Sequence, residues 1–211
     1  MPRYAPHDLV WIESADALSF DSNLPQWVRQ AWQCDKPLVI RRDINPTGKI
    51  AAGIRGKLRS QRYACWIDTD AIIDVLSPET LIEQRYWQRY EWNDVPVIES
   101  LIALSTMHWP LPWGVTGSCA YSLASHEMVM RAESDLDLRI VTPTEPDLSQ
   151  FSELLALIKT LKVRVDIQLE TPAGGVALNE WIKRANQLLV KSAHGPFLSP
   201  NPWTTHPQEA Q

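Results

Sequence analysis

The chain has 211 residues, of which 45% are hydrophobic and ten are tryptophan, a composition that excludes a disordered protein and could bury one large core or two small ones. No apolar run approaches the roughly 20 residues of a membrane-spanning helix, and the N-terminus lacks the apolar core of a secretory signal, so we expect a cytoplasmic protein. The three cysteines are scattered without a C-x-x-C pair, which argues against a disulfide framework and a zinc site and predicts reduced thiols.

The net charge of −5 conceals a basic segment between Lys36 and Arg62. This segment has eight basic residues and one acid, a charge of +7, so the remaining 12 basic and 24 acidic residues carry −12. The pattern predicts a basic patch on an acidic body, which either binds an anionic ligand or partner or is a solvated pair of strands. The arginines that we expect to contact such a ligand are Arg41, Arg42, Arg55, Arg59 and Arg62.

The first part of the chain shows an α+β pattern. The segments PLVIRRD, KIAAGIRG and RYACWID are predicted β-strands separated by turn residues. An N-cap serine, Ser77, and the proline after it predict a helix that continues through Trp87. The segment EWNDVP then marks a boundary, where Asn93 or Asp94 would cap the helix VIESLIALSTM. We therefore predict a small basic α+β domain over residues 1–90 and a second domain over residues 91–211.

Strands and helices alternate in the second domain. The predicted strands are WGVTG, DLDLRIV and KVRVDIQLE, and the predicted helices are SCAYSLASH, SQFSELLALIKTL and ALNEWIKRANQ. This alternation indicates an α/β layer structure with a mixed sheet covered by helices. The segment LLVKSAHGPFLS is compatible either with the end of a helix or with a hairpin that turns at Gly195 and Pro196.

Three aspartates are candidates for a metal site on two of these strands. Side chains alternate between the faces of a strand, so Asp135 and Asp137 share one face while the intervening leucines point to the core. A neighbouring strand would bring Asp166 beside them. Carboxylates this close repel one another, and a cation such as Mg²⁺ resolves the repulsion because it prefers oxygen ligands.

The structural context separates this Asp-x-Asp motif from another in the same chain. Asp68 and Asp70 have the same spacing, but no Gly-Ser pair precedes them and a short helix follows, so we favour helix capping there. Before Asp135 and Asp137, the pair Gly117-Ser118 lies where a strand gives way to a helix. Such a junction offers backbone N–H groups to a phosphate. Taken alone, Gly117 is more typical of an ordinary turn and Ser118 of an ordinary N-cap, but together with the three carboxylates they favour phosphate binding.

Two tryptophans and two histidines near these motifs are not assigned to the site. Trp113 and Trp181 are interpreted as core residues, although an indole could stack on a base. We interpret His126 as a surface histidine and His7 as a capping or fold-supporting residue.

The motifs follow one another as a strand, Gly-Ser, a helix, Asp-hydrophobic-Asp and then a lone Asp. This order resembles that of the nucleotidyltransferase superfamily related to DNA polymerase β. This resemblance covers residues 113–169 and implies a loop at SHEMVMRAES. A narrower resemblance covers nearly the whole chain. The family of malonate decarboxylase holo-acyl-carrier-protein synthases, which are phosphoribosyl-dephospho-CoA transferases, is similar in the segments PHDLVWIE, KPLVIRRD, GIRG, QRYACW, WGVTGS, SDLDL and VDIQLETPAGGVALNEW.

That resemblance implies transfer of a 2'-(5''-phosphoribosyl)-3'-dephospho-CoA group from its triphosphate precursor to a serine of the apo acyl carrier subunit, with release of diphosphate. Under this interpretation two Mg²⁺ ions are bound by Asp135, Asp137 and Asp166, and Asp166 is a metal ligand, a base or both. Gly117 and Ser118 hold the diphosphate, and the basic segment contacts the precursor or the carrier subunit.

No membrane or nucleic-acid partner is expected. Two other functions share some of these motifs. One is a different Mg²⁺-dependent nucleotidyltransferase that acts on a small hydroxylated substrate or on a protein. The other is a non-catalytic adaptor with a basic binding surface.

Overall fold

The computed structural model describes residues 4–20, 23–58, 60–184 and 186–204. The first of its two sheets consists of β1 (Leu9–Ile12), β2 (Leu18–Ser19), β3 (Leu38–Ile40), β4 (Ile50–Arg55), β5 (Arg62–Ile67) and β6 (Ile72–Leu76). Their order is β2-β5-β4-β3-β1-β6, and each neighbouring pair is antiparallel. Helix α1 (Gln26–Ala31) contributes Val28 to the small core of this sheet. The three strands predicted here are confirmed as β3, β4 and β5.

The second sheet consists of β7 (Trp113–Val115), β8 (Leu136–Val141), β9 (Val165–Thr171), β10 (Gly174–Ala177), β11 (Leu188–Ser192) and β12 (Gly195–Ser199). Their order is β12-β11-β10-β9-β8-β7. Only β8 and β9 are parallel among these described neighbours, so the sheet is mixed, as predicted. The ambiguous segment near the C-terminus is a hairpin, in which Ser192 pairs with Gly195.

Five further helices accompany the second sheet. They are α2 (Pro78–Glu83), α3 (Pro96–Ser105), α4 (Gly117–Ser125), α5 (Ser152–Ile158) and α6 (Leu178–Ile182). Short 3₁₀ turns lie at Ala15–Ala17, Thr69–Ala71, Tyr86–Arg89 and Leu148–Phe151. Fully buried residues such as Leu101 of α3, Leu123 of α4 and Leu136 of β8 share one core. The α+β class with a helix-covered mixed sheet is therefore confirmed.

Predicted helix ends differ from the structure at α2, α3 and α6, and α6 ends at Ile182, before the end of the segment ALNEWIKRANQ. Ser77 does cap α2, because its hydroxyl accepts a hydrogen bond from the Thr80 N–H at 3.1 Å. The helix ends at Glu83 rather than at Trp87, since Arg85 takes a left-handed conformation with φ 48°. The prediction that Asn93 or Asp94 caps α3 is wrong. Val95 precedes that helix without a side-chain cap, and Pro96, which has no N–H to satisfy, takes its first position.

The short helix after Asp68 is a 3₁₀ turn, and the predicted capping is wrong there as well. Within the described ranges, the Asp68 side chain makes no cap. Its carboxylate instead lies 3.2 Å from Nζ of Lys49, the residue just before the neighbouring strand β4. A cross-strand cation therefore competes successfully with the local N–H groups for this carboxylate.

The polar face of the second sheet contacts the part of the chain that forms the first sheet, residues 4–76, which we call the first unit; the second unit is the part that carries the second sheet. Arg139 of β8 is 5% exposed and donates to Glu79, Asp8 and the Pro6 carbonyl. One strand further on, Arg42 forms a bidentate ion pair with Glu170, with distances of 2.8 and 2.5 Å. These contacts fix the first sheet over one end of β8 and β9 and leave the other end for the site.

The residues before position 90 do not all pack with the first sheet. Leu81 and Trp87 lie in the core of the second sheet. The division of the chain at residue 90 stays a prediction. Among the described residues, no helix combines the length and hydrophobicity needed to cross a bilayer.

Candidate functional site

The structure brings two of the three predicted carboxylates side by side. In the parallel pair of β8 and β9, Asp137 lies directly opposite Asp166. Both side chains are half-buried, while the flanking Leu136 and Leu138 are at most 1% exposed in the core. Asp135 is also half-buried and precedes β8 by one residue. The alternation expected from the sequence therefore produces a cluster of negative charge at the start of two neighbouring strands.

Burial and neighbouring negative charge make ionisation of Asp137 unfavourable. Burial is the largest cause that raises the pKa of Asp137, and the neighbouring charges of Asp166 and Asp135 raise it further. The guanidinium groups of Arg62 and Arg55 act in the opposite direction without cancelling the shift. A bound cation would favour the ionised carboxylate, so the site has the electrostatic character of a metal site.

Gly117 is fixed by a close approach to Asp137. It begins α4 with φ +64°, a conformation that side chains rarely adopt. A Cβ atom built on this residue would lie 2.8 Å from Asp137 Cγ and closer still to Oδ2. The Thr116 N–H donates to the Asp137 carbonyl at 2.8 Å, which ties the start of the helix to β8. Ser118 is half-buried in the first turn. Gly117 and Asp137, predicted separately from the sequence, are therefore in contact.

Asp166 has a partner that the sequence analysis did not predict. Arg164 Nε lies 3.0 Å from Asp166 Oδ1, and Nη2 lies 2.9 Å from the same oxygen. The Arg164 side chain is 71% exposed and that of Asp166 is 36% exposed, so solvent screens this ion pair and it adds little stability. The sequence signal for this ion pair is that Arg164 and Asp166 are two positions apart in an extended segment, which places both side chains on one face.

The carboxylates only partly fit a metal site as they stand. Within the described ranges, no group of three or more histidine, cysteine, aspartate or glutamate side chains is close enough to hold an ion. Asp137 and Asp166 do offer oxygen ligands from adjacent strands, as Mg²⁺ requires. A shared ion would replace Arg164 as the partner of Asp166. The magnesium site thus stays a prediction that the chemistry of the donors supports.

Two arginines of the basic segment lie near the site. Arg55 and Arg62 face each other across the hairpin of β4 and β5, and both charges act on Asp137. The Arg55 guanidinium carbon lies 5.5 Å from the centre of the Tyr121 ring, and the Tyr121 hydroxyl donates to the Arg55 carbonyl at 3.4 Å. Tyr121 was not predicted for the site. Its signal is its position four residues after Gly117, on the same side of α4.

The other arginines that were expected to contact a ligand have different positions. Arg42 is occupied by its ion pair with Glu170, which joins the two units. Arg41 is exposed and lies 3.6 Å from Asp43. Arg59 lies outside the described residues.

The aromatic residues and histidines left out of the site have structural roles. Trp113 is buried and stacks on Trp109 with ring centres 4.1 Å apart, and Trp181 is likewise buried. His126 follows α4, where its Nδ1 lies 2.9 Å from the Tyr90 hydroxyl. His7 Nε2 lies 3.2 Å from the amide nitrogen of Gln168, at the junction of the two units.

Comparison with protein families covers both units. The model described as phosphoribosyl-dephospho-CoA transferase MdcG C-terminal domain matches residues 81–202, and its N-terminal counterpart matches residues 5–78. The chain belongs to the phosphoribosyl-dephospho-CoA transferase family. The family resemblance seen in the sequence is therefore confirmed, while the wider resemblance to nucleotidyltransferases is compatible with the fold and stays a prediction.

Curated relatives support the same family over nearly their full length. A phosphoribosyl-dephospho-CoA transferase of Klebsiella pneumoniae (strain 342) is 40% identical over 198 residues, which cover 94% of this chain and 95% of the relative. Another from Pseudomonas fluorescens (strain Pf0-1) is 36% identical over 208 residues, with 97% of each chain covered. One from Azotobacter vinelandii is 36% identical over 200 residues, covering 94% of this chain and 93% of the relative. No solved structure matches the chain significantly.

Proposed function

We propose that this protein transfers the phosphoribosyl-dephospho-CoA group from its triphosphate precursor to a serine of the apo acyl carrier subunit of malonate decarboxylase. Membership of the family over both units supports the transferred group. The observation that carries the location of the site is the contact of Gly117 with Asp137, opposite Asp166. Carboxylates against the start of a helix that begins with glycine suit transfer at a phosphorus atom.

The reaction is a displacement at the α-phosphorus of the precursor. The serine oxygen forms a bond to this phosphorus, and the bond from phosphorus to the bridging oxygen of the diphosphate breaks. Diphosphate leaves with the electron pair, and the serine hydroxyl loses its proton. Asp166 is half-buried at the site and can accept that proton once its ion pair with Arg164 is broken. Its alternative role is that of a metal ligand.

Asp135, Asp137 and Asp166 are the residues that would hold two Mg²⁺ ions. These ions would supply positive charge to the phosphate oxygens and lower the pKa of the attacking hydroxyl. Burial and the charges of Asp166 and Asp135 raise the pKa of Asp137, and a cation beside it would favour the ionised carboxylate. The backbone N–H groups after Gly117, together with the Ser118 hydroxyl, would donate hydrogen bonds to the leaving diphosphate.

Intact-mass analysis of the carrier subunit tests the proposal. The subunit is incubated with enzyme, Mg²⁺ and the triphosphate precursor, and its mass should increase by one phosphoribosyl-dephospho-CoA group. ATP in place of the precursor distinguishes a general nucleotidyltransferase, which would add AMP instead. A carrier subunit that stays unmodified after incubation with folded enzyme, precursor and Mg²⁺ would refute the proposed reaction.

A matched pair of variants tests the assignment of the site. Asp137→Asn should abolish the mass increase, because it removes a charge from the cluster. Asp70→Asn changes the same residue type in the exposed Asp-x-Asp motif of the first unit and should leave transfer unchanged. Normal transfer by folded Asp137→Asn protein would place the catalytic carboxylates elsewhere.

A further inference from the structure

The basic segment contains residues with acidic partners and residues without them. Four of its basic side chains form ion pairs, which neutralise them within the molecule. The pairs are Lys36 with Glu127, Arg41 with Asp43, Arg42 with Glu170 and Lys49 with Asp68. Arg55 and Arg62 differ, since neither forms an ion pair with any residue in the described ranges. Their positive charges therefore have no ion-pair partner in the described chain, and both act on the Asp137 carboxylate only from a longer distance.

These two arginines are also placed against each other. Arg55 ends β4, Arg62 begins β5, and the two are direct cross-strand partners. Like charges in this arrangement destabilise a hairpin. Burial is the largest cause that lowers the pKa of Arg55, and the charge of Arg62 lowers it further, while Tyr121 and Asp137 act in the opposite direction. An anion bound between the two guanidinium groups would remove this repulsion.

The position of the pair relates it to the catalytic cluster. The ring of Tyr121 lies under the Arg55 guanidinium at 5.5 Å, and Tyr121 is one helical turn after Gly117. Gly117 in turn approaches the Asp137 carboxylate. The hairpin therefore extends from the first unit over the start of α4, beside the carboxylates at which the reaction is proposed.

We propose that Arg55 and Arg62 form an oligophosphate subsite, contributed by the first unit, for the triphosphate chain of the substrate. The identity of that substrate rests on the proposed function. A guanidinium group forms two parallel hydrogen bonds to phosphate, and the Tyr121 ring holds that of Arg55 in place. Half-burial of Arg55 favours a small anion over an acidic protein surface, which meets exposed rim charges.

Calorimetric titration with inorganic tripolyphosphate in metal-free buffer tests this subsite. Arg55→Gln and Arg62→Gln should each weaken binding about tenfold or more, because each removes a charge-assisted hydrogen bond. Arg55→Lys keeps the charge but loses the planar fork, and its affinity should be intermediate.

Arg41→Gln is the matched control for these variants. It makes the same change of charge within the basic segment, but Arg41 donates its backbone N–H to Ala51, towards the opposite end of β4 from Arg55. It should bind tripolyphosphate within about twofold of the wild type, since only general charge is lost. Arg62 is exposed, so Arg62→Gln decides the test even if Arg55→Gln is unstable.

Three results would overturn the proposal. The first is normal tripolyphosphate binding by both glutamine variants. The second is equal weakening by Arg41→Gln, which would show a net-charge effect. The third is normal tripolyphosphate binding by the glutamine variants together with weaker binding of the carrier subunit, a weakening that disappears at high salt. That result would make the pair a docking surface for an acidic protein. The titration needs neither Mg²⁺ nor carrier, so failure of transfer with intact tripolyphosphate binding would refute the proposed function and leave the subsite standing.

Discussion

Replacement of Gly117 by alanine places a methyl group against the Asp137 carboxylate. A Cβ atom at this position would lie 2.8 Å from Asp137 Cγ and 3.0 Å from Asp137 Cβ. Non-bonded carbon atoms pack at about 3.5–4.0 Å, and Oδ2 would lie closer to this Cβ than either carbon, so the carboxylate must withdraw by at least about 1 Å. It would then no longer occupy the same position relative to Asp166.

The expected losses follow from this displacement and from the backbone. A misplacement of about 1 Å in a catalytic arrangement lowers the rate about 100-fold. The left-handed conformation at φ +64° adds a destabilisation of roughly 1–2 kcal/mol for any residue with a side chain. We therefore expect Gly117→Ala to lower kcat/KM for transfer about 100-fold and the free energy of unfolding by about 1–2 kcal/mol.

Gly48→Ala separates the two effects. Gly48 has φ +78°, but a Cβ there would meet no atom within 4 Å. It should lose about as much stability as Gly117→Ala through the backbone and keep full transfer activity. Urea unfolding measures the stability of both variants, and the rate of mass increase of the carrier subunit measures transfer. Near-normal transfer by Gly117→Ala, or an equal loss of transfer activity in Gly48→Ala, would refute the reasoning.

Three further predictions concern charge. Asp137→Asn should raise the free energy of unfolding at pH 7 without metal, because the raised pKa of Asp137 makes its ionised form unfavourable. A less stable variant in urea unfolding at pH 7 would contradict this prediction. Burial lowers the pKa of His7 from 6.5 to about 4, so stability should fall by about 3 kcal/mol as the pH drops through that window, and His7→Asn should remove this dependence from unfolding curves. An unchanged pH dependence of stability in the His7→Asn variant would exclude His7 as its source. Arg42→Met should cost about 2 kcal/mol in urea unfolding by leaving Glu170 unpaired, and the double variant Arg42→Met/Glu170→Met should recover part of the loss; a double variant no more stable than the single one would show no coupling.

The sequence predicts the carboxylate cluster because its signals are local. Alternation along DLDLRIV and KVRVDIQLE assigns Asp137 and Asp166 to the polar face of each strand, and the hydrophobic residues between them assign the other face to the core. The pairing of β8 with β9 then brings the carboxylates together. Gly117 was predicted to approach phosphates, and its contact with Asp137 depends on how β7 turns into α4, which no local pattern specifies.

The features that the sequence did not predict depend on distant contacts. Arg42 and Glu170 are 128 positions apart, so their ion pair leaves no local signal in the sequence. The basic pattern around Arg42 predicted contact with an anionic ligand, whereas in the fold Arg42 pairs with a carboxylate of the chain itself. Strand β10 begins with two glycines, which lack the side chains typical of strands. At Gly175 a Cβ atom would approach Arg42 Nη2 to 2.9 Å, so this glycine leaves the space that the ion pair needs.

The buried guanidinium group of Arg139 restricts how this protein can be recombined with its relatives. Its partners, Asp8, Glu79 and the Pro6 carbonyl, lie up to 133 positions away in the chain. A chimaera that exchanges residues 81–202 alone would combine this arginine with foreign partners, and a buried charge without its partner is strongly destabilising. An exchange of the second unit would therefore have to keep Arg139 together with its two carboxylate partners, Asp8 and Glu79.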